Sequence, residues 1–170
     1  MAFGIPCCWK ADMQKFQAQA RPQIIQLDEL ALRGFAESRA GAGELQVFVI
    51  HTSRELAKAC LNAVSALTRS LGARVTLLAV QIVPFPLPLD QPDVTPQFVE
   101  RALVALAREI EAPVDVQVMI ARDLDTGIRQ GLTPSALVVV AVKRRWWPNA
   151  EVKLARSLAR AGHSVAVLRV

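Results

Sequence analysis

The 170-residue sequence has only three cysteines and two histidines, and none is arranged as a metal site or a disulfide framework requires. Cys7 and Cys8 are adjacent, and neighbouring residues rarely meet disulfide geometry. Cys60 falls on an apolar helical stripe and reads as a small core residue. An odd count without a C-x-x-C pair speaks against a zinc site, so no metal is expected. No uncharged apolar run reaches the roughly 18 residues of a membrane-spanning helix. The start, "MAFGIPCCWK", lacks the early positive region and long apolar stretch of a secretory signal. The expectation is a cytoplasmic chain with no transmembrane segment. A G-x-S-x-G turn is also missing around Ser53, so His51 and Ser53 give no ground for hydrolysis, and the chain reads as non-enzymatic.

What is present suffices for one packed domain. Apolar residues make up 52%, which excludes a disordered chain, and 170 residues can bury an ordinary core. The net charge of +5 is local. Between Lys143 and Arg160 six cations (Lys143, Arg144, Arg145, Lys153, Arg156, Arg160) stand against Glu151, an excess equal to that of the whole chain. Such a patch suits an anionic partner: a small anionic molecule, a lipid surface or an acidic protein face. The plainer reading is a solvated helix face. Nucleic acid ranks below these, because the cations are interleaved with only one aromatic pair, Trp146 and Trp147.

Residues 1–44 differ from the rest and read as an N-terminal helical extension. Leu27, Leu30, Ala31 and Phe35 have the spacing of a short amphipathic helix, and "SRAGAGE" reads as a linker. From residue 45 strands and helices alternate. Strands are expected at 45–50, 74–81, 114–120, 136–142 and 164–170, and helices near 53–71, 97–111, 123–131 and 148–161. Thr52 with Glu55 reads as a capping box and Gly72 as a stop. The proline-rich "VPFPLPLDQPDVTP" reads as a stiff loop at the sheet edge; a polyproline ligand for a partner is the second reading. This alternation implies an α/β fold, a doubly wound, five-stranded parallel sheet. Such sheets bind ligands outside the carboxyl ends of their strands, where the strand order reverses. If the fourth predicted strand returns beside the first, the crevice lies between "HTSRE" (51–55) and "KRRWWPNAE" (143–151).

Segment 45–170 resembles the universal stress protein family. The likeness rests on the five-strand pattern, the prolines in "IVPFPLPL", and "SALVVVAV" ahead of a variable loop with a final helix and strand. It implies strand order 3-2-1-4-5, an adenine-nucleotide alpha-hydrolase-like fold, and dimers paired through the last strand. Some members bind ATP. Those that do place an aspartate where this chain has His51, and follow the fourth strand with G-x-x-G, nine residues, then G and Ser or Thr. Laid on this chain, the glycines fall on Ala141, Arg144 and Leu154, or Lys153 when aligned from the last strand. None is glycine, and a Cβ blocks the approach of backbone amides to phosphate. The resemblance therefore implies a degenerate nucleotide site and no bound cofactor, with ATP or another nucleotide as the remaining possibility. A shorter likeness, over the arginine–tryptophan pairs, is to soluble C-terminal domains of bacterial amino-acid permeases, and implies a transporter-associated regulatory domain.

The candidate site residues are His51, Thr52, Ser53, Lys143, Arg144, Arg145, Trp146 and Trp147. One tryptophan is suited to stack a planar ligand while the three cations hold phosphate; alternatively, the pair plugs the space a nucleotide would fill. The chain's last segment, Ser164–Val170, is apolar on both faces from Ser164 to Leu168, and in the expected order it is a sheet edge. An uncharged edge invites pairing, so a homodimer through it is expected.

Overall fold

The computed structural model describes residues 24–26, 45–134, 136–143 and 150–170. Its elements are β1 (Ile24–Gln26), β2 (Gln46–Ile50), α1 (Arg54–Leu71), β3 (Arg74–Ile82), α2 (Pro96–Arg108), β4 (Val114–Ala121), α3 (Leu124–Gly131), β5 (Leu137–Val142), α4 (Ala150–Arg160) and β6 (Ser164–Arg169). The strands form one sheet in the order β1-β6-β5-β2-β3-β4, and every pairing is parallel. Counted from β2, this is the doubly wound five-strand order 3-2-1-4-5 expected from the sequence.

The central strands, β2 from Val47 on and β5, are continuous apolar runs because both faces are covered. Alternate residues face opposite ways. Val47 and Val49 point into one core with Leu56, Cys60 and Leu61 of α1 and Leu103 and Leu106 of α2. Phe48 and Ile50 point into the other, with Ile128 of α3 and Leu154 and Leu158 of α4. Leu158 is completely buried, and removing such a side chain typically costs about 2–5 kcal/mol. Two glycines are required by position. Gly72 ends α1 at φ 64°, in the left-handed region. Gly127 lets α3 lie close on the sheet, since a Cβ there would run into Val80 Cγ1 and stand 3.0 Å from Ala121 Cβ.

The structure corrects the sequence reading in two places. Ile24–Gln26, read as the start of a helix, is a strand, with Ile24, Ile25 and Gln26 opposite Val165, Ala166 and Val167. Leu27 to Phe35 lie outside the described residues. The apolar pair in "IIQ" suits a helix stripe and a strand equally. The unpaired N–H and C=O groups along β6 favour the strand, and a local periodicity does not register them. The second correction follows from the first. β6 is not the edge of the sheet, because β1 covers it along Val165–Val167. The premise for a homodimer through Ser164–Val170 is therefore removed over that stretch. Ala166, in the middle of that stretch, is buried at 2% exposure.

The proline-rich loop is bound to its own chain. The Arg122 guanidinium donates to the carbonyls of Val83 (3.0 Å), Pro84 (3.2 Å) and Leu87 (2.7 Å), and lies 4.1 Å over the Phe85 ring. Gln81 Nε2 donates to the Val94 carbonyl. These contacts fit the stiff-loop reading, because Arg122 already occupies backbone carbonyls at the start of the proline run.

Candidate functional site

β2 sits at the point where the strand order reverses, with β3 on one side and β5 on the other. The loops leaving β2 and β5 therefore flank one crevice, as open parallel sheets arrange their binding sites. The His51 amide donates to the Leu78 carbonyl at 2.8 Å, carrying the ladder one residue past the strand. Ser53 then turns the chain, with extended backbone (φ −153°, ψ 160°), and its Oγ accepts from the Leu56 amide at 3.3 Å. Ser53, not Thr52, is the N-cap. Its extended backbone aims the hydroxyl at the free amides of the first turn, which is the geometry that capping needs. Thr52 Oγ1 is buried, with no hydrogen-bond partner among the described residues. The capping box read from Thr52 and Glu55 therefore does not form, since the third residue after Ser53 is Leu56, and Glu55 is an acid in the first turn.

From the other side of the crevice, Lys143 directly follows β5. Its Nζ lies 3.4 Å from Glu55 Oε2 at the start of α1. The two loops predicted to share a site are thereby linked. The pair is exposed, so it contributes roughly 0–1 kcal/mol. It also changes the part read for Lys143, since the cation expected at a phosphate meets a carboxylate of its own chain. Arg144, Arg145, Trp146 and Trp147 lie outside the described residues.

His51 is half-buried, and burial holds its imidazole below the ordinary value of 6.5. The ring is neutral at pH 7. It therefore supplies neither the negative charge of an aspartate nor a permanent positive charge for an anion. Beside it lies a shallow cavity of about 230 Å³, walled by His51, Arg54, Val94, Phe98, Ala102 and Leu106. Arg54 is neutralised by Glu109, which also accepts from Lys58 Nζ at 2.7 Å. The Lys58 hydrogen bond, followed by the charges of Arg54 and Lys58, holds the Glu109 carboxyl below its usual range. Two larger concavities, about 410 and 370 Å³, lie elsewhere, on the outer face of α2 and beside β4.

The sequence reading did not find Arg54, Val94 or Phe98 as cavity walls. One signal was available. Phe98 lies off the apolar stripe predicted for its helix (Val99, Ala102, Leu103, Leu106) and is 65% exposed beside this cavity. The Ser53 hydroxyl is occupied as a cap, and burial pushes the Cys60 thiol up to about 12. Among the described residues no three His, Cys, Asp or Glu side chains group as a metal would need, and no helix is long and apolar enough to cross a membrane.

No protein-family model matches the sequence, and no curated protein matches it either. Nothing in the comparisons supports the likeness to permease domains. Among solved structures, the chain is similar to a universal stress protein from Archaeoglobus fulgidus, with a TM-score of 0.51 and 12% sequence identity, over 75% of this chain and 95% of that one. At this identity the likeness is one of fold, and the fold is that of the universal stress protein: a five-strand doubly wound sheet between helices.

Proposed function

We propose that the chain is a cytoplasmic, non-enzymatic regulatory or adaptor module of the universal stress protein kind, with a crevice that does not hold ATP in that family's usual way. The observation that carries this reading is the make-up of the switch point. A neutral His51 stands where ATP-binding members place an aspartate, and Lys143 meets Glu55 across the crevice. Ala141, at the position of the motif's first glycine, is buried inside β5 at 1% exposure, so its Cβ is part of the core. Calorimetric titration of ATP into the protein in magnesium buffer is expected to give no heat of binding. A micromolar dissociation constant would overturn the reading.

A second reading has its own support. The capped N-terminus of α1 opens on the crevice, and helix N-termini favour anions. In this reading the site takes a small anionic or nucleotide ligand through Thr52, Ser53, Lys143, Arg144 and Arg145, with Trp146 or Trp147 stacked on it. Trp9→Phe leaves Trp146 and Trp147 as the only tryptophans, so their fluorescence can be followed against a panel of nucleotides and second messengers. Saturable quenching that is lost in Lys143→Ala would favour this reading over the first. A flat response to every compound would eliminate it.

A further inference from the structure

The outward stripe of α2 lies outside both core clusters among the described residues. Gln97, Glu100, Arg101, Val104, Ala105 and Arg108 wall a concavity of about 410 Å³ there. A second concavity, of about 370 Å³, shares Glu100, Val104 and Arg108 and continues over Ala107, Ile110 and the Val114–Val116 end of β4. β4 is the sheet edge that no strand covers among the described residues, and α2 packs mainly on it.

The order of charges along this stripe is symmetric in a particular way. Glu100, Val104 and Arg108 follow one another at four-residue steps and so lie along one line of the helix. Glu100 and Arg108 are two turns apart, about 12 Å, too far to pair with each other. Neither forms an ion pair among the described residues. They stand at equal distances on either side of Val104. When two such helices pack antiparallel about a two-fold axis through Val104, each Glu100 faces an Arg108 across the axis. Two opposite-charge pairs then flank an apolar centre of Val104 and Ala105, small enough for helix axes to come within about 8–10 Å. A two-fold contact must be self-complementary, and an acid and a base equidistant from a small apolar centre meet that condition.

We propose that the chain forms a homodimer through α2, with Val104 on the axis and Glu100 opposite Arg108 on each side. The face lies across the sheet from the β6 edge that β1 covers. It does not depend on what the crevice binds.

A charge-exchange series on the full chain tests this, read by sedimentation velocity at tens of micromolar and accompanied by circular dichroism. The unmodified protein is expected to be a dimer. Glu100→Arg and Arg108→Glu each set like charges face to face twice per dimer, and each is expected to weaken association about tenfold or more. The double variant E100R/R108E restores the opposite pairs and is expected to regain the original association. A monomer at these concentrations overturns the proposal. So does a dimer indifferent to either single change, which places the interface elsewhere, or a double variant as weak as the singles.

Discussion

At the scale of single residues, the candidate site is distinguished by what its groups cannot do at neutral pH. His51 is kept neutral by burial, and so is His163, where burial and then the nearby charge of Arg129 lower the imidazole. Each titrates below 6.5 in the folded chain, so the unfolded chain takes up protons first as pH falls. Stability contributed by these residues is complete above about pH 6.5 and is lost as pH drops through the interval down to the folded values. Urea midpoints are expected to fall between pH 7.5 and 5.5, and His51→Gln is expected to reduce that slope. The carboxylates act in a different window: Glu109 and Asp123 are held below their usual range, so their contributions decline only at more acidic pH. A midpoint unchanged between pH 7.5 and 5.5 would show that His51 is not buried as described.

At the scale of elements, α1 decides the shape of the crevice, and its start is set by one hydroxyl. Ser53→Ala removes the acceptor for the Leu56 amide and is expected to cost about 0.5–2 kcal/mol. Thr52→Val should behave in the opposite sense. Its Oγ1 is buried without a hydrogen-bond partner among the described residues, so replacing the hydroxyl with a methyl of similar shape relieves an unmet desolvation cost. Denaturation of the two variants separates the residues, and equal losses would return the cap to Thr52. From the sequence the pair "TS" offered two caps one residue apart, and the acid three residues beyond Thr52 favoured the wrong one. The choice depends on where β2 ends, and that is fixed by the His51–Leu78 hydrogen bond to another strand.

At the scale of the whole molecule, the described members of both core clusters all lie beyond residue 44. A chain beginning at Leu45 is therefore expected to unfold in one cooperative urea transition, with the far-UV signal of mixed helix and strand. Among the described residues the deletion takes away the three-residue strand that pairs with β6. A broad, non-cooperative transition would show that the segment before residue 45 completes the core. The same deletion leaves α2 intact, so the dimer proposed there is expected to survive it.

The amino-acid sequence by itself determined the five strands and the four helices between them, and the family resemblance it carries implied the winding order. The strands and helices follow from local periodicity: apolar runs that cover both faces of a strand, stripes at helical spacing, and Gly72 at a stop. It also exposed the missing glycines, because Ala141 and its neighbours can be read without coordinates. The tertiary structure alone decided that Ile24–Gln26 is a strand, that Lys143 reaches Glu55, that Ala166 is buried, and that Phe98 and Val94 wall a cavity beside His51. The difference is physical. Periodicity records which side of an element is dry. Which edge has unpaired backbone groups, and which distant side chains share a loop cluster, depend on strands brought together across long stretches of chain.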